Sequence, residues 1–108
     1  MILQRPKPSD WETAWTKWLA QEIGGESEVL LADGSRADIV TDTQAIEVEW
    51  IKKWKEAPAQ ALLYSALTNL DPVVLLLTRG KPSEPKFLLR CLTVCRMAGV
   101  RLETYRTL

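Results

Sequence analysis

Residues 36–51, RADIVTDTQAIEVEWI, decide how this chain folds. Arg36 to Thr41 and Ala45 to Ile51 alternate apolar and polar side chains on either side of Asp42-Thr43, which predicts two antiparallel strands joined by a tight turn. With Asp42 and Thr43 at the centre of that turn the register follows: Ile39 faces Ile46 and Asp38 faces Glu47. Alternation then puts Ala37, Ile39, Ile46, Val48 and Trp50 on one face and Asp38, Glu47 and Glu49 on the other. Three carboxylates meet on one patch, although like charges directly opposite in a sheet cost about 0.2–1 kcal/mol even when exposed. A positive partner is expected there. A hard divalent ion, Mg²⁺ or Mn²⁺, suits it, because such ions take one or two carboxylates together with waters and substrate phosphate. The plainer alternative is that the patch is the acidic solvent face of an amphipathic hairpin.

Upstream of this hairpin, Glu28 to Leu31 reads as a strand and Asp33-Gly34 as its turn into the second strand. Before them, Pro6 and Pro8 make a stiff lead-in, and Ser9 or Asp10 is a candidate cap for a helix ending at Gly24-Gly25. Trp11, Trp15, Trp18 and Leu19 recur on that helix at helical spacing and predict a buried stripe. Glu22 falls on the same stripe at the far end, while Glu12 at the near end is placed to approach Asp38. Downstream, a helix is expected from about Pro58 to Leu70. Val73 to Leu77 is an unbroken apolar run, as in a strand covered on both faces. A further helix over 86–98 ends at Gly99 and precedes a last strand over 100–105. The expected class is α/β: one domain spanning residues 1–108, a mixed central sheet flanked by helices, in the order α-β-β-β-α-β-α-β.

Composition narrows the chemistry. The 108 residues contain no histidine, which removes Ser-His-Asp and Cys-His catalysis and His-ligated zinc. Net charge is zero, which argues against a polycationic nucleic-acid binder. The charge is nonetheless uneven, with four basic and ten acidic residues up to Glu49 and ten basic and four acidic after it. Lys52, Lys53 and Lys55 follow the acidic strand at once, an arrangement suited to phosphates beside a cation. Cys91 and Cys95 stand four apart on a helical segment and read as small buried side chains. No stretch approaches the ~18 apolar residues of a membrane span, and no signal or transit pattern opens the chain, so a cytoplasmic protein is expected.

These residues resemble the PD-(D/E)XK nuclease superfamily, whose restriction-endonuclease-like fold includes RecB-type exonuclease domains, Holliday-junction resolvases and small virus-type replication-repair nucleases. The resemblance is carried by Arg36-Ala37-Asp38-Ile39-Val40, by Ala45-Ile46-Glu47-Val48-Glu49-Trp50 and by Gln60-Ala61-Leu62-Leu63-Tyr64. It implies a Mg²⁺- or Mn²⁺-dependent deoxyribonuclease in which Asp38, Glu47, the main-chain carbonyl of Val48 and Glu12 hold the metal. It also implies that Gln60 and Tyr64 help to place the DNA strand. Glu49 stands where the family usually has lysine; it would orient the attacking water or hold a second ion, and Lys53 is the candidate for the missing positive charge. Lys52, Lys53, Lys55, Arg36 and Arg79 are the expected backbone contacts, with Trp50 and Trp54 as candidates for stacking on bases, although Trp50 also falls on the apolar face. A domain this small offers little surface to a duplex, which points to a homodimer using the last helix or the final strand edge. The alternative consistent with Glu49 is a nuclease-like domain that no longer cuts and instead binds nucleic acid or a protein.

Overall fold

The computed structural model describes residues 2–108. Its elements are α1 (Glu12–Ile23), β1 (Glu26–Leu30), β2 (Arg36–Val40), β3 (Gln44–Trp50), a 3₁₀ turn (Ile51–Glu56), α2 (Ala57–Thr68), β4 (Asp71–Thr78), α3 (Glu84–Ala98) and β5 (Arg101–Arg106). The strands form one mixed sheet in the order β1-β2-β3-β4-β5. β1, β2 and β3 make an antiparallel meander, and β3, β4 and β5 run parallel.

β4 shows why the sheet is covered twice. Its alternate residues serve two different cores: Val73, Leu75 and Leu77 meet Trp15, Leu19 and Ala20 of α1 together with Ile39, Ile46 and Val48. Val74 and Leu76 meet Ala57 and Ala61 of α2 and Cys91 and Cys95 of α3. A strand buried on both faces has no solvent side to mark with polar residues, hence the unbroken apolar run. Both thiols are free and buried. Burial pushes the Cys91 thiol up to about 12, so neither sulfur is poised for chemistry.

The N-terminal lead-in is fastened to the other end of the chain. Arg5 lies 5.1 Å over the ring of Trp15 and 5.8 Å over that of Tyr105 on β5. Its guanidinium also donates to the carbonyls of Arg106 and Thr107. The indole Nε1 of Trp15 in turn donates to the Lys7 carbonyl at 3.1 Å.

Several local expectations are corrected. Neither Ser9 nor Asp10 caps α1: Trp11 occupies the N-cap in an extended conformation with no side-chain cap bond. The Asp10 carboxylate instead accepts the Lys7 N–H at 2.7 Å, closing the turn that contains Pro8. Standing outside the helical repeat, Trp11 leaves the buried stripe and is 84% exposed. Glu22 is exposed as well, so it needs no buried partner. α2 stops at Thr68 rather than Leu70, because Asn69 takes a left-handed conformation, φ 61°. α3 begins at Glu84, two residues before the expected start, since Pro85 is tolerated in a first turn. Ala37, expected beside Ile39, is buried instead with Leu31, Ala45 and Tyr64. The pleat is disturbed at that point: Ser27↔Ile39 and Val29↔Ala37 bracket Glu28, which has φ 53°.

Candidate active site

The site forms where β2 and β3 separate. Their paired register consists of Val40↔Ala45 and Ile39↔Ile46. β3 continues alone against β4 as far as Trp50↔Leu77. Asp38, expected directly opposite Glu47, lies just past the last pair. Its Oδ2 accepts the Val48 N–H at 2.8 Å, and its carboxyl is hydrogen-bonded to that of Glu47. Because the N–H and C=O of one strand residue leave toward the same edge, the Val48 carbonyl is also directed to the β2 side.

Glu47 is 8% exposed. The phenol of Tyr64, on α2, donates to its Oε1 at 3.1 Å. Gln60 lies one turn earlier on the same helix, half-buried. Glu49 accepts the Trp50 N–H at 2.8 Å and is hydrogen-bonded to Glu12, the first residue of α1. Four carboxyl groups from three elements are thus linked in two hydrogen-bonded pairs, and the pairs feel each other's charge. Among the described residues the only ion pair joins Arg101 and Glu103, so no lysine or arginine bridges these four. Lys53 opposes them from a distance, through its charge on Glu12.

Burial raises the Glu47 carboxyl far above its ordinary value of 4.5, and the hydrogen bond and charge of Asp38 raise it further. Glu12 is raised by burial and then by Glu49. Asp38 is raised by burial, while its bonds from Glu47 and Val48 pull the other way. Tyr64 is held protonated by burial and by the charge of Glu47. Above pH 4.5 an unfolded Glu47 or Glu12 loses its proton while the folded one keeps it, so these groups stabilise the fold at low pH and that contribution fades as pH rises. In EDTA the melting temperature is therefore expected to fall by several degrees, roughly 5 °C or more, between about pH 5 and about pH 8. Thermal melts across that range check this, and a rising trend would contradict the buried-carboxyl assignment.

Beside the carboxylates, at the carboxyl ends of β3 and β4, lies a cleft of about 390 Å³ lined by Ser9, Asp10, Trp11, Glu12, Trp50, Lys52, Lys53 and Arg79. Parallel α/β sheets commonly bind their ligands at such strand ends. Arg79 is held there on three sides. Its N–H donates to Glu84 at 2.9 Å, its Nε donates to the Pro8 carbonyl at 3.0 Å, and its guanidinium lies 3.5 Å over the Trp50 ring. Trp50 also packs against the α1-side core, and Trp54 against the α2–α3 core. Lys55 and Arg36 are exposed but do not line the cleft.

Asp38, Glu47 and Glu49 of the hairpin, Glu12 of α1 and Tyr64 of α2 are thus brought together, whereas Gln60, Lys55 and Arg36 do not line the cleft. Sequence reasoning missed Trp11. The available signal was its place immediately before Glu12 and immediately after the lead-in turn, where no helical stripe can bury it.

The donor chemistry fits a hard divalent cation. All four side chains offer carboxylate oxygens, a main-chain carbonyl is directed the same way, and the group lacks a cationic partner in contact. Among the described residues no three of these side chains are set as a ready-made ligand shell. No helix among the described residues is long and apolar enough to cross a membrane. No protein family, curated protein or solved structure matches this chain.

Proposed function

We propose that this chain is a Mg²⁺- or Mn²⁺-dependent nuclease of restriction-endonuclease-like fold that hydrolyses DNA phosphodiester bonds. The observation that carries the reading is the convergence of Glu12, Asp38, Glu47 and Glu49, unbridged by any cation, beside a cleft walled by Lys52, Lys53 and Arg79. An acidic cluster next to a basic cleft is what a metal-assisted reaction on a phosphate requires. The cation offsets the carboxylates, and the basic residues receive the anionic substrate.

Asp38 and Glu47 would hold the ion with the Val48 carbonyl and Glu12. Bound there, the ion supplies Lewis-acid polarisation of the scissile phosphate and a more acidic attacking water. The chain's own groups do the rest. Tyr64 keeps Glu47 oriented through its hydrogen bond, and Glu49, in the position where lysine is usual, orients the water or contributes to a second ion. Lys53 supplies positive charge next to Glu12, while Lys52 and the fixed guanidinium of Arg79 contact phosphates on either side. Free buried cysteines suit a reducing cytoplasmic setting.

The test is cleavage of single-stranded, duplex and four-way-junction DNA with Mg²⁺, Mn²⁺ or EDTA. Cutting that requires the ion supports the reading. If no substrate is cut and Mn²⁺ leaves the melting temperature unchanged, the reading falls and a non-catalytic domain takes its place.

A further inference from the structure

Trp11 stands out because nothing in the protein covers it. An indole carries one of the largest apolar surfaces of any side chain, up to about 250 Å². Here 84% of the residue faces solvent. It sits in extended conformation at the N-cap of α1, directly before Glu12 and behind the turn closed by Asp10 and Lys7. It forms part of the wall of the same cleft as Lys52, Lys53 and Arg79. The other tryptophan of that cleft, Trp50, already has a guanidinium stacked on its ring at 3.5 Å. Trp11 is therefore the free aromatic surface beside the candidate reaction centre.

Two further features restrict what can lie on it. Lys52, Lys53 and Arg79 outnumber the two carboxylates of the cleft, Asp10 and Glu12, of which Asp10 is already engaged by the Lys7 N–H, so the cleft favours an anionic occupant. The volume of about 390 Å³ falls within the roughly 300–1,000 Å³ range of small-ligand sites and gives room for about one nucleotide. A base inside a duplex also has its faces covered by its neighbours, whereas an unpaired base presents an open face to an indole.

We infer that Trp11 is a stacking platform for an unpaired nucleobase, so that the strand entering the cleft is single-stranded DNA, with Lys52, Lys53 and Arg79 holding the phosphates next to that base. This rests on the nuclease reading for the identity of the neighbouring site, and it adds the class of substrate.

Binding and cutting are measured separately. Fluorescence anisotropy in EDTA follows a labelled oligothymidylate of about 16 nucleotides and a duplex of equal length, with the unaltered protein, Trp11→Ala and Trp11→Phe. Trp11→Ala is expected to weaken single-strand binding about tenfold, to change duplex binding less than about twofold, and to melt within a few degrees of the parent. Trp11→Phe should recover most of the loss. Equal single-strand affinity in Trp11→Ala, an equal loss on both substrates, or no binding of single strands by the parent would overturn the inference. Cleavage with Mn²⁺ is scored alongside. Trp11-dependent single-strand binding without any cutting removes the nuclease and leaves the platform; metal-dependent cutting indifferent to Trp11 does the reverse.

Discussion

Glu47→Gln is expected to abolish metal-dependent cleavage, by at least about 10²–10³-fold, and at the same time to make the metal-free protein more stable at about pH 8. Both effects come from one feature. Glu47 is 8% exposed, and its carboxyl is raised by burial and by Asp38, so keeping it in the fold opposes its tendency to ionise. Glutamine keeps the shape and can still accept the Tyr64 phenol through its amide oxygen, yet it has no proton to lose. Relief of that cost should raise the melting temperature near pH 8 by several degrees, about 5 °C as an order of magnitude. The dependence on pH should flatten in parallel. Added Mn²⁺ is expected to lift the melting temperature of the parent, increasingly so as pH rises and the carboxyls release their protons, and to have little effect on the variant. Thermal melts at two pH values with Mn²⁺ or EDTA, beside the cleavage assay, read all of this. A buried carboxyl serving only the fold would lose stability on substitution, so a less stable variant that still cuts DNA would remove Glu47 from the site.

Trp15→Ala is expected to cost about 3–5 kcal/mol, the range for truncating a large buried aromatic side chain. Trp15 is fully buried and lies 5.9 Å from the rings of both Trp18 and Tyr105. It also joins α1 to the N-terminal lead-in, through Arg5 over its ring and through its hydrogen bond to the Lys7 carbonyl, and to β5 through Tyr105. For a domain of this size the melting temperature should fall by roughly 15 °C or more. Trp15→Phe keeps most of the packing and removes the indole bond to the Lys7 carbonyl, which still accepts the Asp10 N–H at 2.9 Å, so a smaller loss of about 1 kcal/mol is expected. Urea unfolding checks both, with a lower midpoint at unchanged slope as the expected result. A midpoint close to the parent's in Trp15→Ala would mean that this cluster does not hold α1 to the sheet. The site is tied to the same residue, because Glu12 lies three positions earlier on α1 and reaches Glu49 only while the helix is docked.

The hairpin shows how far residue order carries. Alternation and the Asp42-Thr43 turn are local properties, and they were enough to predict the pairing Ile39↔Ile46 and the gathering of Asp38, Glu47 and Glu49. The same argument misplaced Ala37, because alternation assumes an unbroken pleat and Glu28 disturbs it from the neighbouring strand. It also could not foresee that the pairing of β2 with β3 would stop at Ile39, freeing the Val48 N–H for the Asp38 carboxylate. The tryptophans divide in the same way. Helical spacing marked Trp15 and Trp18 for the core, but it extended the stripe one residue too far, since whether Trp11 belongs to the helix depends on the turn closed by Asp10 and Lys7.

By itself the sequence determined the α/β class, the apolar strand buried on both faces, the absence of imidazole chemistry and the clustering of carboxylates on one hairpin. These rest on composition and on repeats of two or 3.6 residues, which act over a few positions of chain. Tertiary structure decided the rest: that Glu12 joins Glu49, that Tyr64 meets Glu47, that Arg79 lies between Pro8 and Trp50, and that Trp11 stays in solvent. Each of these depends on how segments far apart in the chain dock on the two faces and at the strand ends of one sheet, and no local pattern records a distance between segments that meet only after packing.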